Sequence, residues 1–372
     1  MADNIKEDAS VRERSLRVVA ERFRSWAAEQ GILTFQPPDD QFEDRHDSLN
    51  DLAETNHAAA ASAILNHRKI NLIAVNPAKD EILVVTHQKL TKRDIETLPS
   101  EAEGGHKFRY IKSHPPQVRL PLSAAGGGSG MALHGAYYTC GSSISVANSV
   151  SAGTLGALVR NAAGDLLALT NNHVSGGCCY TDVDFPIVAP GLLDVRPTGH
   201  DPFTLGHHLN VASWIAGIPD NVDVTKNIDA ATFKIKDETT ISSMQRGLFD
   251  TPTTTLPLAP GLAVRKVGRT TGDTKGQVIG QVVGFTPVMM DVPQFKGVIY
   301  FDDVFLVQGA SGQPFSDRGD SGSLVVHTDA AGTTHAVGLL FAGSADGSLT
   351  FILPIDKVLA HFGVTLVGGH NV

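Results

Sequence analysis

The chain has 372 residues, of which 42% are hydrophobic and 19% are charged. This composition supports a sizeable buried core and excludes a disordered chain, and the length predicts two or three structural units. The net charge of −9, from 30 Lys and Arg against 39 Asp and Glu, disfavours a nucleic-acid-binding protein because phosphate binding needs a basic face.

The cysteine count and the N-terminal residues indicate the cellular compartment in which the protein is expected. The three cysteines are Cys140, Cys178 and Cys179, and this odd, low count predicts no disulfide framework and is typical of a reducing compartment. The N-terminal residues alternate charges, unlike a secretory signal, and no apolar run reaches the roughly 18 residues of a membrane helix. We therefore expect a soluble, cytoplasmic protein with no membrane partner.

Residues 1–68 are predicted to form a helical N-terminal region. Apolar residues recur every three or four positions over 10–30, which indicates an amphipathic helix, and an alanine-rich helix is predicted over 49–67. This region could mediate oligomerisation of the chain, regulation or substrate recruitment. A homo-oligomer that forms through residues 1–68 is one of these possible roles.

A small α/β unit is predicted over 69–120. It contains a short helix after Thr91, because a threonine followed three residues later by Asp94 is typical of a capped helix start. Its predicted strands cover 70–75, 81–86 and 108–112. A linker is predicted over 121–134, since residues 126–130 read GGGSG.

From residue 135 to residue 372 the sequence predicts an all-β domain. Short apolar or alternating runs are separated by Gly, Asp and Pro, as in β-sandwiches and pairs of β-barrels. A short terminal helix is predicted over 355–362. The predicted strands cover 153–159, 166–170, 230–235, 263–267, 277–285, 298–307, 323–327, 336–341 and 350–353.

The sharpest chemical motif is RGDSGS, residues 318–323. A serine between glycines, in a loop that leads into an apolar strand, can expose its hydroxyl at a tight turn. Gly319 permits a positive φ that places its N–H beside the N–H of Ser321. Two such donors can stabilise an oxyanion, and one is worth about 3 kcal/mol of barrier.

Serine needs a base to become a good nucleophile. His173 in LTNNHV follows the apolar run 166–169, where a strand ends in a loop. Asp229 opens the strand 230–235 and is predicted to fix the histidine tautomer, with Asp223 as the alternative. The chain order His, Asp, Ser excludes the α/β-hydrolase arrangement.

These residues resemble those of the chymotrypsin-fold, trypsin-like serine endopeptidases over about residues 135–365. The stretch VRKVGRTTGDTKG, residues 264–276, is similar to the opening of the second barrel in bacterial members. The N-terminal extension is similar to the plant narrow-leaf type of intracellular trypsin-like protease. The resemblance implies two six-stranded β-barrels with the triad between them: Ser321 as nucleophile, His173 as base, Asp229 as its partner, and the N–H groups of Gly319 and Ser321 as oxyanion hole.

The sequence also departs from the family. No segment of the Ile-Val-Gly-Gly kind precedes the first predicted strand, so activation by a freed amine at Asp320 is not supported, and we expect local contacts there. A serine that often lies behind the triad aspartate is replaced by Phe341. In the implied substrate pocket, Phe315 stands where trypsin-like members keep an acid, so a small or medium apolar P1 residue is predicted. The implied pocket residues are Phe315, Ser316, Phe341, Ala342 and Gly343.

Other functions are weaker hypotheses. Adjacent Cys178 and Cys179 with nearby histidines (His173, His200, His207 and His208) fit no recurrent zinc pattern, so we predict no metal and no cofactor. The glycine-rich segment 126–130 is not a phosphate loop, because no Lys follows in the required position. A catalytically silent, protease-like peptide-binding module is the alternative class, and an esterase is allowed by the same triad. The predicted partner is a protein or peptide substrate, and no nucleic acid.

Overall fold

The structure is a computed structural model. It describes residues 2–35, 48–53, 55, 57–125, 130–219 and 221–372. Residues 126–129 of the linker predicted over 121–134 lie outside the described residues. Within the described part of the chain, no helix is long and apolar enough to cross a membrane.

The chain is mainly β, with 40% of residues in strands and 22% in helices, which confirms the predicted fold class. One closed barrel lies beside a curled, open sheet, and an α/β region precedes both. The helices are α1 (Ala2–Glu29), α2 (Leu49–Leu52), α3 (Ala58–Arg68), α4 (Lys92–Thr97), α5 (Val195–Thr198) and α6 (Ile355–Phe362).

The helices follow local signals closely, with one difference. α1 buries Leu16, Phe23 and Trp26 along a single face, as the spacing predicts. The helix predicted over 49–67 is instead two helices, because Ala53 adopts extended backbone and pairs with Ala102. At α4, the Thr91 hydroxyl accepts the Asp94 N–H, and the Asp94 carboxylate accepts the Thr91 N–H, which confirms the predicted cap.

The small α/β region contributes five strands to the largest sheet. β1 and β2 are buried along almost their whole length, whereas β4 begins with an alternation of buried and exposed residues. These strands are β1 (Ile70–Asn76), β2 (Glu81–Thr86), β3 (Glu101–Ala102), β4 (His106–Lys112) and β5 (Pro116–Arg119).

The first β unit is an eight-stranded sheet that curls but stays open at both ends. Beside it lies a four-stranded sheet formed by β6 (Leu133–His134), β7 (Tyr137–Cys140), β15 (Ile241–Gln245) and β16 (Phe249–Asp250). The strands of the larger sheet are β8 (Ser143–Val146), β9 (Gly153–Thr154), β10 (Ala157–Asn161), β11 (Leu166–Thr170), β12 (Pro186–Ala189), β13 (Phe203–Val211), β14 (Ala231–Ile235) and β25 (Val364–Leu366).

The second β unit is a closed, six-stranded, antiparallel barrel. Its strands in ring order are β17 (Ala263–Gly268), β18 (Gly272–Val282), β21 (Phe305–Gly309), β24 (Thr350–Pro354), β23 (Thr334–Ser344) and β22 (Leu324–Thr328), which pairs again with β17. A hairpin of β19 (Thr286–Val292) and β20 (Phe295–Phe301) extends from it. The strand predicted over 298–307 is broken in two, because the chain turns at Asp303, whose φ is 59°.

Two strands of the α/β region join this barrel sheet. β1 pairs antiparallel with β18, Ala74 opposite Val282, so the small α/β unit predicted over 69–120 shares a sheet with the second barrel. β5 pairs with β23 on one side and with β19 on the other. The α/β region and the second barrel are therefore joined at two places in one sheet, through β1 and through β5.

Candidate active site

The loop that carries Ser321 is held by backbone contacts from the first sheet. Gly319 has φ 97° and Gly322 has φ 94°, values that a side chain would strain. The Thr154 N–H donates to the Ser321 carbonyl at 2.9 Å, and the Thr154 hydroxyl donates to the Gly319 carbonyl at 2.8 Å. These bonds fix both carbonyls on the side of the loop that faces β9.

Two N–H groups on the same loop, those of Gly319 and Ser321, donate no hydrogen bond within the described residues. The intervening Asp320 N–H, by contrast, donates to the Asp317 carbonyl. Gly319 and Ser321 line one small cavity together with His173. Two unpaired donors thus lie on the loop that forms one wall of the cavity.

His173 and Asp229 form a buried pair. His173 lies in a helical turn, Asn172–Gly176, directly after β11, and Asp229 lies just before the neighbouring strand β14. His173 Nδ1 lies 2.5 Å from Asp229 Oδ2, and the His173 N–H donates to Oδ1 at 3.1 Å. Because a carboxylate only accepts, Nδ1 carries a proton and donates it to Asp229.

The backbone of Asp229 is held as well. The Asn171 side-chain amide donates to the Asp229 carbonyl at 2.5 Å, and the Trp214 indole N–H donates to the carbonyl of Ile228 at 3.1 Å. Support for Asp229 therefore comes from the turn around His173 and not from position 341, where the resemblance places a serine. Asn171 stands two residues before His173 in the LTNNHV motif, whereas nothing in the sequence pointed to Trp214.

Ser321 reaches the same cavity as this pair without a direct bond to it. Among the described side chains, no hydrogen bond joins Ser321 to His173. Catalytic hydrogen bonds of this kind often shorten only when substrate binds. The alternative carboxylate, Asp223, is half-exposed at the surface, where it accepts the Thr225 N–H and pairs with Lys226.

Asp320, next to Ser321, is paired inside the second barrel. Its carboxylate lies 3.2 Å from Lys266 Nζ and accepts the Thr270 N–H at 2.7 Å and the Thr271 hydroxyl at 2.6 Å. Burial alone raises the pKa of Asp320, but Lys266 and the Thr271 hydroxyl outweigh it and hold that pKa below its ordinary value. Burial lowers the pKa of Lys266, and Asp320 offsets only part of that. The expected local contact is present, since the Asp317 N–H donates to the Asp320 carboxylate at 3.0 Å. The other partners of Asp320 come from β17 and the turn after it, so the expectation of local contacts alone is wrong.

A second buried ion pair joins the linker to both β units. Arg269 lies in the turn after β17, and its guanidinium donates to both oxygens of Asp194 at 2.8 and 2.5 Å. Asp194 also accepts the Ala125 N–H at 2.8 Å and the Ser143 hydroxyl at 2.5 Å. Burial raises the pKa of Asp194, but Arg269 and these donors hold it below its ordinary value.

The pocket beside Ser321 differs in part from the prediction. Ser316, Ala342 and Gly343 line it, as predicted. Phe315 and Phe341 do not: Phe315 is buried in the hydrophobic cluster inside the second barrel, and the Phe341 ring packs against Phe301. Leu340 and Ala342 line the pocket, whereas Phe341 lies in the hydrophobic core.

Sequence reasoning missed part of this wall. Ser344 at the end of β23 and residues 345 and 347 after it line the pocket, and so do Gln117, Val118 and Arg119 of β5. β5 has only four residues, which is too short for a clear periodic signal, so nothing in the sequence pointed to it.

The cysteines and histidines do not form a metal centre in the part of the chain that the structure describes, where no three metal-binding side chains come together. Cys178 is buried, and burial raises the pKa of its thiol, which disfavours the thiolate that a metal needs. His173 is engaged by Asp229 instead.

A family model described as the Nal1 C-terminal domain matches residues 249–354. This match spans all six strands of the second barrel and includes Ser321, but it begins after His173 and Asp229. A search of curated proteins found no match to the chain.

Solved structures of serine proteases resemble the chain at low identity. Protease A of Thermobifida fusca is 18% identical, with 62% of this chain and 98% of that chain covered and a TM-score of 0.42. The Nocardiopsis protease is 18% identical over 61% of this chain and 97% of that chain, with a TM-score of 0.41. The Cellulomonas bogoriensis chymotrypsin is 16% identical over 62% and 97%, with a TM-score of 0.39.

Proposed function

We propose that this chain is a serine endopeptidase that hydrolyses peptide bonds in protein or peptide substrates through an acyl-enzyme. Ser321 Oγ attacks the carbonyl carbon, and His173 Nε2 takes the hydroxyl proton and later gives it to the leaving amine. Asp229 holds the imidazole and stabilises its charged form. The N–H groups of Gly319 and Ser321 stabilise the oxyanion. This chemistry requires no cofactor.

One observation carries the proposal. A buried imidazole–carboxylate pair, 2.5 Å apart, lies on the same small cavity as a serine whose loop presents two unpaired N–H groups. A purely structural role for His173 would not explain why it shares a cavity with the Ser321 hydroxyl and with the unpaired N–H groups of Gly319 and Ser321.

The substrate pocket supports a small or medium apolar P1 residue. The pocket beside Ser321 measures about 60 Å³, and small side chains, Ala342 and Gly343 among them, line much of it. Asp317 and Arg318 stand at its rim, and the Arg318 N–H donates to the Asp317 carboxylate at 2.7 Å. This local bond competes with the recognition of a basic substrate side chain. We further propose action in the cytoplasm, in keeping with the cysteine content.

A fluorophosphonate probe tests the assignment directly, because only an activated serine reacts with it covalently. We expect labelling of the wild-type chain at Ser321, no labelling of Ser321→Ala, and a loss of peptide hydrolysis of about 10⁶-fold in that variant. Ser323→Ala is the matched control, since this neighbouring serine is buried and its hydroxyl donates to the Asp320 carbonyl. Labelling that persists in Ser321→Ala would contradict the proposal.

The same probe separates the alternative function. A catalytically silent peptide-binding module would bind peptides in this cleft but would never label at Ser321. The intact geometry around His173 favours the enzyme, because a binding module needs neither the imidazole pair nor the free amide donors.

A further inference from the structure

Residues 116–121 run along the substrate cleft. β5 pairs antiparallel with the end of β23, Gln117 opposite Gly343 and Pro116 opposite Ser344. On its other edge β5 pairs in parallel with β19. β5 is therefore paired along both edges, and one of its two neighbours is β23, the strand that carries pocket residues.

After this pairing the segment passes beside Ser321. Val118 and Arg119 line the pocket next to Ser321, and Arg119, Leu120 and Pro121 line the small cavity that also contains His173. That cavity measures about 10 Å³, which is close to the space of one water molecule. An extended peptide cannot reach Ser321 and His173 while the segment is there.

We propose that residues 116–121 form an inhibitory strand, which holds the place of the substrate main chain until it is displaced. This inference rests on the proposed function, because it assigns regulation to the same site. Extended peptides bind proteins by adding a strand to a free sheet edge, and here the edge at Gly343 and Ser344 is already paired. Substrate and segment exclude each other.

The strand is held by one buried anchor and by tethers on both sides. Val118 is 2% exposed and belongs to the core between the β units. Before the strand, Lys112 pairs with Asp346 at 2.5 Å, and after it the Ser123 carbonyl accepts from Arg269 at 3.1 Å. A tethered segment competes at an effective concentration of about millimolar or more, so dilute peptides lose to it.

The last residue of the strand, Arg119, is bound to β19. The Arg119 guanidinium turns to Asp291, with Nε 3.4 Å from Oδ2, and both side chains are about 40% exposed. The Arg119 side chain is thus engaged on β19. Because half-exposed ion pairs contribute little stability, this contact is a weak point at which release can begin.

The first experiment measures access to the cleft without catalysis. Two proteins are compared, the Ser321→Ala chain and the same chain with the additional change Val118→Asp. A fluorescent peptide with the sequence of residues 114–122 is titrated with each protein, and its affinity is measured. A charge at this buried position expels the strand, so we expect the peptide to bind about tenfold or more tightly to the variant. Val183→Asp, at an exposed valine, is the matched control and should bind as the parent does. Equal affinity in all three proteins would overturn the inhibitory strand.

A second variant covers the case in which Val118→Asp does not fold. Arg119→Cys with Asp291→Cys places two thiols at directly opposed positions of β5 and β19. Under reducing conditions the ion pair is gone, and we expect fluorophosphonate labelling at least a few times faster than in wild type. Oxidation to a disulfide should abolish labelling, and reduction should restore it.

The two experiments separate the two proposals. If the peptide binds as expected but no variant ever labels, the inhibitory strand stands and the endopeptidase proposal fails. If the oxidised, cross-linked chain labels as fast as its reduced form, the cleft is open with the strand in place. That result overturns the inhibitory strand and leaves the endopeptidase proposal intact.

Discussion

Lys266 Nζ lies 3.2 Å from Asp320 Oδ2, and neither side chain has any solvent exposure. Asp320 immediately precedes Ser321, so this ion pair fixes the start of the loop that carries Ser321 from within the second barrel. The buried cation that faces Asp320 is therefore Lys266 of β17.

Loss of this ion pair should be costly. Lys266→Met leaves Asp320 buried and uncompensated, and we expect the free energy of unfolding to fall by about 3–5 kcal/mol, measured by urea denaturation at neutral pH. Lys275→Met, at an exposed position of the adjacent strand, is the control and should change little. Similar losses in both variants would show that the pair does not hold the loop.

Acid should destabilise the fold through Asp194. Its pKa lies below the ordinary value of 3.8, so its contribution to stability is complete above that value and is lost as pH falls through the lower, folded-state pKa. We expect Asp194→Asn to be less stable at neutral pH and to lose less stability on acidification. Urea unfolding between about pH 7 and about pH 2.5 measures both curves. Parallel curves for wild type and variant would refute the assignment.

A side chain at Gly319 should disable the oxyanion donor. A Cβ there would lie 2.6 Å from the Thr270 hydroxyl and 2.7 Å from Arg269 Nη1, at a φ of 97°. Gly319→Ala is expected to lower kcat by about 10²–10³-fold, as the loss of one oxyanion donor does. Gly332→Ala is the matched control, because Gly332 also has a positive φ but no atom within 4 Å of the added carbon. If both variants lose kcat equally, backbone strain and not the donor explains the effect.

Narrowing the pocket should change the P1 preference. A Cβ at Gly343 would meet only Leu349 O at 3.8 Å and Ser316 Oγ at 4.0 Å, so a side chain fits there but takes up pocket volume. In Gly343→Val we expect kcat/KM for a P1 leucine peptide to fall about tenfold more than for a P1 alanine peptide. The ratio of the two rates is measured in one competition assay. An unchanged ratio would place the P1 side chain elsewhere.

The sequence predicted what is encoded locally. Thr91 and Asp94 form a cap wherever a helix starts after them, and the positions of His173 and Asp229 follow from the strands that end and begin beside them. Which way Phe341 faces was not predictable, because the alternation along β23 is broken by a register shift between Leu340 and Ala342. The role of β5 was hidden for another reason. Its conformation is imposed by β19 and β23, which are more than 150 residues away in the chain.

The pairing of β1 with β18 ties the two halves of the chain into one cooperative unit. The Val283 N–H, just beyond β18, donates to the Ile73 carbonyl, and the Val283 side chain packs in the same hydrophobic cluster as Phe23 and Trp26 of α1. If the N-terminal helices unfolded, Val283 at the barrel wall would lose its packing in that cluster. Heat should therefore unfold both halves in a single calorimetric transition.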